Sequence, residues 1–568
     1  MKKKRNGRKN FTLIKLLMGD SWIVFLLIGM LLPDVSAGNN MSLETNKEMR
    51  CAPVELFQID GLSRFREMTP AQAKTHVTIS RDKDNVYVAV DCREPLAVRS
   101  EIKHNGDAVW GCDNVEIFFG GIGEHPWYRQ FVVSAGGGRQ SIYADLSEWS
   151  SNVSTGKNGW KADVTIPLRL FGSSPDGMRF NILRQRTAGR ELQTWSNIIW
   201  GHDVERFRKI PFALPDDYAV HGPWLFQPGT TQIGIGWESA GTCVTMLEYR
   251  ERGTLQYQTF CDSSRNGIRR GDSALHKVWL CGLKPNTEYE YKIKGASGSF
   301  RTLKEKMSNF SIFITSDLHD RSAYLAELLR RTELQNCDFA IYLGDMVTSS
   351  LDKSTYYDGF LDASVKNWKK PFVYVRGNHE YRGRSAESYF DLFGTVDKKG
   401  YFTVQHGGVF FIFLDLEGDC TPDDGKPYYE EQADFLVRTI SSPEFQNADF
   451  RIVMGHVPPL SPREDGKLVA QLLKKLPPKS IDLFIGGHKH RCAYVPANGT
   501  TIDSVDSRFE GKPAYGMSFP VLVGDNGGII RLERKGDELN IRIFDELGAE
   551  FRKSPLRIPK TQQPSPYF

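Results

Sequence analysis

Five short apolar segments in the second half of the chain each run into a polar cluster, and this pattern constrains the fold most. The segments are residues 310–315, 339–343, 371–375, 450–454 and 481–485. Helical stretches such as residues 324–331 separate them, which indicates buried parallel strands in a layered α/β domain. Because the carboxyl ends of such strands meet at one edge of a sheet, we expect the polar side chains to converge.

The polar clusters contain residue types that bind transition metals. The candidate ligands are Asp317, His319, Asp345, Asn378, His456, His488 and His490. This mixed nitrogen and oxygen set, without a thiolate, suits Fe, Zn or Mn. A carboxylate such as Asp345 can bridge two ions, so the sequence predicts a two-metal centre. Glycine precedes four of the clusters, and we expect it to let the backbone turn sharply there.

The series Asp-x-His, Gly-Asp, Gly-Asn-His-Glu, Gly-His and Gly-His-x-His resembles the calcineurin-like metallophosphoesterases over residues 305–560, and it is nearest to the purple acid phosphatases. The resemblance implies a metal-dependent phosphoric ester hydrolase in which two transition metal ions activate a bridging hydroxide for in-line attack on phosphorus. The ligands implied for one ion are Asp317, His319, Asp345 and His490, and those for the other are Asp345, Asn378, His456 and His488.

The resemblance also assigns roles to residues around the metals. His379 matches a histidine proposed to protonate the leaving oxygen, so His379 and Asp345 are the expected catalytic residues. Because neighbouring side chains of an extended segment point in opposite directions, we expect His379 and Asn378 not to share an ion. For Arg376 a structural ion pair is the favoured role, with a contact to phosphate as the alternative. Glu380 is expected to orient the site.

One position departs from the purple acid phosphatases. They carry a tyrosine, which ligates Fe(III), three residues after the Gly-Asp aspartate, and Thr348 stands there in this chain. His319 stands where they have glycine. We therefore expect a first metal site like that of the wider superfamily, without an Fe(III)–tyrosinate.

Three functions are compatible with these motifs. The leading interpretation is an exported phosphomonoesterase similar to acid phosphatases. A phosphodiesterase acting on nucleotides or lipid head groups is the second, because the same metal cage serves both reactions. The third is a non-enzymatic protein that binds glycan or the cell envelope and keeps a vestigial phosphatase site. The complete ligand set argues against the third.

Residues 51–304 read as two β-sandwiches that precede the α/β domain. Alternating apolar and polar residues in segments such as 75–80 and 114–119 predict the first, over residues 51–218. Its motifs, among them Ile-Asp-Gly at 59–61 and Trp-Gly-Cys-Asp-Asn-Val-Glu-Ile-Phe at 110–118, resemble the family 9 carbohydrate-binding module. Glycan is therefore a candidate partner. We expect the tryptophans at 110, 127, 149, 160, 195 and 200 to be mainly core or corner residues.

The second sandwich is expected over residues 219–304. The sequence Gly-Leu-Lys-Pro-Asn-Thr-Glu-Tyr-Glu-Tyr at 282–291 resembles the fibronectin type III-like domain that precedes the catalytic domain of purple acid phosphatases. Sandwiches of this kind are common spacers, so a structural role is expected.

The first 37 residues have the pattern of a secretory signal. A basic start leads to the apolar run 22–32, and Val-Ser-Ala at 35–37 fits a cleavage site. Export to the periplasm, cell surface or medium follows, with no stable membrane span after cleavage. An uncleaved anchor is the alternative, because residues 11–18 extend the apolar character.

Charge and cysteine usage exclude several classes of protein. The net charge is +4, and residues 1–37 hold seven lysines or arginines and two aspartates, so the remaining chain carries −1. A near-neutral body has no global field to steer nucleic acid, whose binding needs clustered cations, so nucleic acid is not an expected partner. None of the nine cysteines forms a C-x-x-C motif, which excludes a zinc ribbon or a thioredoxin-like protein. Most of the cysteines are expected to be plain buried residues.

Overall fold

The computed structural model describes residues 53–122, 127–172, 177–198, 200–261, 264–265, 268–269, 274–395, 399–416, 422–460 and 464–560. The predicted signal, residues 1–37, lies outside them. The segment Met49–Phe568 forms one compact unit. In the described part of the chain, no helix is long and apolar enough to cross a membrane.

The first part of the chain is the predicted β-sandwich. Its strands are β1 Val54–Asp60, β2 Ser63–Arg64, β3 Thr75–Arg81, β4 Asn85–Arg93, β5 Asn114–Gly121, β6 Tyr128–Ser134, β7 Arg139–Ile142, β8 Ser150–Gly156, β9 Gly159–Pro167, β10 Met178–Arg186, β11 Glu191–Thr194 and β12 Arg208–Ile210. One sheet has the order β1-β3-β4-β9-β8, and the other β2-β11-β10-β5-β6-β7 with β12 beside β10. Alternate residues such as Val88 and Ile117 fill the core between the sheets.

The tryptophans and cysteines match their expected positions only in part. Trp149 and Trp160 are buried in the core of the sandwich, as expected. Trp200 differs, because 67% of its surface is exposed. Of the six cysteines whose side chains are described, all are free and four are buried.

The next nine strands lie between residues 219 and 301. They are β13 Ala219–Phe226, β14 Gln232–Ser239, β15 Met246–Glu251, β16 Gln258–Cys261, β17 Ser264–Arg265, β18 Ile268–Arg269, β19 Leu275–Cys281, β20 Glu288–Ile293 and β21 Ala296–Arg301. One sheet has the order β16-β15-β20-β21, and it packs on β13, β14 and β19. Side chains such as Trp237 and Leu247 form the core between these two layers.

The last part of the chain alternates strands and helices. Its strands are β22 Asn309–Thr315, β23 Ala340–Leu343, β24 Phe372–Val375, β25 Phe402–His406, β26 Val409–Phe413, β27 Phe450–Met454, β28 Leu483–Gly486, β29 Ala493–Val495, β30 Asp503–Ser504, β31 Val521–Val523, β32 Ile529–Lys535, β33 Glu538–Phe544 and β34 Leu556–Pro559. Its helices are α1 Ser322–Leu329, α2 Thr332–Gln335, α3 Lys353–Tyr356, α4 Asp362–Asn367, α5 Ser388–Leu392, α6 Pro422–Ile440, α7 Pro443–Gln446 and α8 Glu464–Leu473.

The alternating part has the predicted α/β/β/α layers. Side chains such as Ile314 and Phe411 fill the space between the two central sheets. Leu328 of α1 packs on the outer face of the first sheet. Leu436 of α6 and Val469 of α8 pack on the outer face of the second sheet. The protein is therefore multidomain, with β-sandwich structure before a layered domain.

One of the two central sheets extends beyond the α/β part. Its nine strands have the order β19-β14-β13-β24-β23-β22-β32-β33-β34. The link is a parallel pairing of β13 with β24, through Phe226 and Phe372. One sheet thus crosses the boundary expected at residue 304, which fixes the preceding strands against the layered domain.

The strands that precede the polar clusters are parallel within each central sheet. Strands β22, β23 and β24 are parallel neighbours in the first sheet. Strands β26, β27 and β28 are parallel neighbours in the second, which has the order β25-β26-β27-β28-β31-β29-β30. Their carboxyl ends therefore bring the polar clusters to one edge of the two sheets.

Candidate metal centre

The seven predicted ligands meet at this edge in two groups. The first group is Asp317, His319, Asp345 and His490, and the second group is Asp345, His456 and His488. Within each group, one ligand atom from every residue lies within 4.8 Å of the others. Asn378 joins the second group, because its Oδ1 lies 2.9 Å from His488 Nδ1. Their role as ligands remains a prediction.

The first group combines residues from three strand ends. The Nε2 atoms of His319 and His490 lie 3.3 Å apart. Two imidazole nitrogens bound to one tetrahedral ion at about 2.0–2.1 Å would be separated by about 3.3–3.4 Å. Asp317 Oδ1 also lies 3.3 Å from His490 Nε2. The spacing is therefore that of ligands around a common centre.

The surroundings of the His456 ring show whether a cation fits the second group. Its Nδ1 lies 2.7 Å from the carbonyl oxygen of Leu343, so Nδ1 carries a proton and donates it. The buried Nε2 lies 3.1 Å from Asp345 Oδ2 and 3.8 Å from Asp317 Oδ1, yet forms no hydrogen bond to a described residue. A ring nitrogen that faces two carboxylates requires a positive charge there, which a proton or a metal ion can supply. The residues therefore fit a metal ion.

The pKa values of residues in the two ligand groups are shifted by the charges that are concentrated there. Burial lowers the pKa of His456, but the carboxylates of Asp345 and Asp317 outweigh burial and raise it to about 10. Burial acts to raise the pKa of Asp345, and the charge of His456 reverses this and leaves the pKa lowered. Burial is the main cause of the lowered pKa of His319. A proton on His456 thus occupies the place that a cation would take.

Five of the seven predicted ligands have left-handed backbone torsions, which non-glycine residues rarely adopt. The φ angles are 58° at Asp317, 47° at His319, 53° at Asp345, 68° at His488 and 55° at His490. Strained torsions of this kind persist where the surrounding structure imposes them, and they cluster at functional sites. No sequence pattern indicated these torsions.

The glycines before the clusters act in two different ways. Gly344 has φ +84°, so the sharp turn expected there is present. Gly377 and Gly487 instead make room for carboxylates. A Cβ at Gly377 would lie 2.2 Å from Asp345 Oδ1, and a Cβ at Gly487 would lie 2.6 Å from Asp317 Oδ2. Close approach, rather than a turn, requires glycine at these two positions.

Glu380 holds two ligand loops together. Its Oε2 accepts hydrogen bonds from the amides of Asp345 at 2.9 Å and Gly377 at 2.6 Å. Its Oε1 accepts from the amide of Met346 at 2.9 Å and from the Tyr374 hydroxyl at 2.7 Å. Burial and the charge of Asp345 raise the pKa of Glu380. These contacts support the orienting role expected for it.

His379 lies beside the first group. The extended conformation expected at Asn378 is wrong, because its φ of −65° and ψ of −25° are helical and His379 begins a short turn. The two side chains still diverge. His379 Nδ1 lies 2.7 Å from the Thr348 carbonyl oxygen, and the His379 ring is 4.5 Å from that of His319. His379 Nε2 lies 3.8 Å from Asp345 Oδ2.

Arg376 forms a buried ion pair, which is the role favoured for it from the sequence. Its guanidinium bonds both carboxylate oxygens of Asp415 and packs 4.0 Å from the Tyr381 ring. Tyr428 donates a hydrogen bond to Asp415 at 2.7 Å, and the Asp415 amide donates one to Gln432 Oε1 at 2.9 Å. Sequence reasoning missed Asp415, although the apolar strand Val409–Phe413 leads into it as the other strands lead into their clusters.

One segment of the chain, which contains these clusters, matches a known family model. Residues 310–492 match the family model for calcineurin-like phosphoesterases. All seven predicted ligands lie within the calcineurin-like segment. A search of the curated proteins finds no match to the chain.

Solved structures give weaker similarities. A purple acid phosphatase from yellow lupin (Lupinus luteus) seeds has a TM-score of 0.43 and 13% identity, covering 82% of this chain and 92% of that one. The anchor in the inner membrane complex of Plasmodium has a TM-score of 0.30 and 13% identity, covering 45% and 90%. A family 9 carbohydrate-binding module from Caldicellulosiruptor kristjanssonii, in complex with glucose, has a TM-score of 0.19 and 13% identity, covering 24% and 74%.

Proposed function

We propose that the protein is an exported phosphomonoesterase with a dinuclear metal centre. The observation that carries this proposal is the pair of ligand groups that share the Asp345 carboxylate. The second group gains Asn378, so each ion has four candidate protein ligands. Fe, Zn and Mn are the ions suited to this set of histidine nitrogens and carboxylate or amide oxygens.

The metal ions, when bound, supply Lewis-acid activation of water and of the phosphoryl group. The residues of the chain hold the candidate ligands and the proposed proton donor in place. Asp345 joins the two groups, and its Oδ1 accepts a hydrogen bond from the His379 amide at 2.9 Å. Asp317, Asp345 and His456 are buried, whereas the His490 side chain is 40% exposed. Substrate therefore approaches from the side of His490 and His319.

His379 is the proposed proton donor to the leaving oxygen. The Thr348 carbonyl can only accept, so Nδ1 of His379 is a donor and the ring orientation is fixed. Nε2 then faces the first ligand group, within reach of a substrate placed there. A proton delivered from Nε2 to an alkoxide or phenoxide would complete the cleavage.

Parallel assays test the proposed activity. Purified protein loaded with Zn, Mn or Fe should hydrolyse 4-nitrophenyl phosphate faster than bis-(4-nitrophenyl) phosphate. Asp345→Asn should abolish both reactions. A faster diester reaction would favour the phosphodiesterase alternative, and inactivity with both metal sites filled would favour a vestigial site.

Glycan binding by the first sandwich is a second proposed function. Trp200 and Tyr143 expose 67% and 66% of their surfaces. Tyr128 contacts both Tyr143 and His202, with ring centroids 5.2 and 5.6 Å apart. Exposed ring faces can pack on the apolar face of a sugar. Calorimetry with glucose and cello-oligosaccharides should show binding that Trp200→Ala or Tyr143→Ala removes, and absence of heat with all sugars would contradict this role.

Export is proposed from the sequence of residues 1–37. Expression of the full chain, followed by N-terminal sequencing of the mature protein, should find a new terminus at Gly38. An intact terminus in the membrane fraction would support the uncleaved anchor instead.

A further inference from the structure

Asp320 follows the predicted ligand His319 and ends a ladder of hydrogen bonds between two ligand loops. Three backbone hydrogen bonds of 3.0, 3.0 and 3.1 Å join the loops, from the amides of Asp317, His319 and Asp320 to the carbonyl oxygens of Gly344, Asp345 and Met346. The Asp320 side chain adds a fourth contact, because its Oδ2 accepts from the Thr348 amide at 3.1 Å. A carboxylate thus takes the place of a backbone carbonyl at the end of the ladder.

The position of the Asp320 carboxylate is set by its own backbone and by the segment behind it. Asp320 has a φ of 63°, a left-handed torsion that aspartate and asparagine adopt more readily than most residues. A Cβ at Gly359 would lie 2.8 Å from Asp320 Oδ1, so glycine leaves the room that the carboxylate occupies. Gly359 belongs to a π-helical turn, Tyr357–Leu361, and such turns are frequent at functional sites. The carboxylate therefore lies between this turn and Thr348.

Thr348 connects Asp320 to the proposed proton donor. Its amide donates to Asp320, and its carbonyl oxygen accepts from Nδ1 of His379 at 2.7 Å. The guanidinium of Arg382 lies 2.8 Å from the other ring nitrogen, Nε2. Because a guanidinium can only donate, the Thr348 carbonyl is the acceptor that orients the ring among the described contacts. A displacement of Thr348 therefore moves the group that fixes the imidazole.

Two carboxylates bind consecutive amides of the same loop. Glu380 accepts hydrogen bonds from three of them, the amides of Asp345, Met346 and Val347, at 2.9, 2.9 and 3.4 Å. The next amide, that of Thr348, donates to Asp320 instead. The part of the loop that carries the predicted ligand is thus held by Glu380, and the part that contacts His379 is held by Asp320.

We propose that Asp320 is a positioning residue that, through Thr348, holds His379 in the orientation for proton donation. This inference rests on the proposed phosphoesterase function and adds a residue to it. Removal of the Asp320 carboxylate should act on the proton-transfer step and leave the metal ions in place. The loss of rate should grow with the basicity of the leaving oxygen, because a basic leaving group depends most on the proton.

The test compares Asp320→Gly, Asp320→Asn and the control Asp358→Ala in metal-loaded, full-length protein. Glycine adopts a φ of 63° without strain and removes the acceptor, whereas asparagine tolerates this φ and keeps an acceptor oxygen. Asp358 is an exposed carboxylate next to Gly359, so its replacement removes the same charge from the neighbouring segment. Thermal melting and metal analysis come first, and each variant should be folded with the metal content of the wild type. Loss of metal from either Asp320 variant would refute the inference, because Asp320 would then act on His319.

Hydrogen exchange at the Thr348 amide measures the contact without turnover. Mass spectrometry with fragmentation resolves this amide from its neighbours. Exchange should become at least about 5-fold faster in Asp320→Gly, since the amide loses its acceptor. Asp320→Asn and Asp358→Ala should stay within about 3-fold of the wild type. An exchange rate that Asp320→Gly leaves unchanged would show that the carboxylate does not hold Thr348.

Two phosphomonoesters with different leaving groups then test the effect on proton transfer. For an alkyl phosphate, kcat should fall by about 10- to 100-fold in Asp320→Gly, part of the whole contribution of a general acid. For 4-nitrophenyl phosphate the loss should be below about 3-fold. Asp320→Asn should recover most of the rate, and Asp358→Ala should match the wild type on both substrates. Equal losses on the two substrates, or the same pattern in Asp358→Ala, would contradict the role of Asp320.

A double variant shows whether Asp320 acts through His379. If it does, Asp320→Gly combined with His379→Ala should be as slow as His379→Ala alone, to within about 2-fold, because the group that Asp320 positions is already missing. Losses that multiply would mean that Asp320 acts by another route, and the inference would fail.

The same data separate this inference from the proposed activity. If metal-loaded wild-type protein hydrolyses neither monoester, the proposed function fails and the role of Asp320 fails with it. If the wild type is active and His379→Ala slows mainly the alkyl phosphate, but Asp320→Gly keeps the wild-type ratio of the two rates, only the role of Asp320 fails.

Discussion

Glu380 Oε2 accepts a hydrogen bond from the backbone amide of Asp345 at 2.9 Å, so a buried carboxylate holds the residue that joins the two ligand groups. The same oxygen accepts from the Gly377 amide, which precedes Asn378. One side chain thus sets the distance between loops that follow two different strands. The geometry of both ligand groups depends on it.

Glu380→Gln should therefore damage both sites. An amide nitrogen would face backbone donors in a buried place, which should lower the free energy of unfolding by about 3 kcal/mol. Metal affinity should fall by about 10- to 100-fold. Chemical denaturation and metal analysis after dialysis check these values, with the exposed Glu387→Gln as control. Full metal retention at both sites would contradict the orienting role.

The shared carboxylate predicts a difference between ligand variants. Wild-type protein should bind two ions per chain. Asn378→Ala should lose occupancy at one site, whereas Asp345→Asn should reduce both. Inductively coupled plasma mass spectrometry provides the count, and Asp358→Asn, an exposed carboxylate, should behave as wild type. A maximum of one ion in active, metal-replete protein would refute the dinuclear centre.

Metal binding should release protons. The raised pKa of about 10 keeps His456 protonated at neutral pH in metal-free protein. An ion that enters the second group must displace this proton, so affinity should rise with pH by about tenfold per unit for each proton displaced below that pKa. Chelator competition at pH 6, 7 and 8, together with proton counting by a pH indicator, measures the effect. Affinity independent of pH would contradict a protonated His456.

His379→Ala should separate metal binding from proton transfer. Both ions should remain, since His379 contacts the Thr348 carbonyl and lies outside the two ligand groups. An alkyl phosphate should lose about 10²- to 10⁴-fold in rate because its alkoxide needs the proton. The loss should be smaller for 4-nitrophenyl phosphate, whose phenolate is stable. Equal losses for both substrates, or loss of a metal, would contradict the role as an acid.

Iron-loaded protein should lack the visible charge-transfer band of an Fe(III)–tyrosinate. Thr348 occupies the position of the ligating tyrosine, and its carbonyl oxygen accepts a hydrogen bond from His379 Nδ1. Absorption spectra of oxidised, iron-loaded protein test this expectation. A strong band that disappears when another tyrosine is replaced would show that the ligand set is incomplete.

The strand ends and the candidate ligands that follow them can be predicted from the sequence because both patterns are local. Apolar runs such as those leading into Asp317 and His456 mark buried strands, and the structure has β22 and β27 there. Parallel strands in one sheet must end at one edge, so the convergence of their clusters followed from the pattern. The first sandwich could also be predicted from the sequence, because in strands such as β3 and β5 successive side chains point alternately into and out of the core.

Contacts between distant segments were decided only by the tertiary structure. The pairing of Phe226 with Phe372, which joins β13 to the central sheet, has no local signal. Neither has the meeting of Arg376 with Asp415.

The sequence by itself therefore determined which residues lie at the ends of the buried strands. The apolar run of each strand and the polar residue that follows it are only a few positions apart in the chain, so both can be recognised locally. The tertiary structure alone decided their distances and partners. Strand order, register and the left-handed turns at residues such as His488 set where the side chains lie. Those placements depend on packing between elements far apart in the chain, which no local pattern encodes.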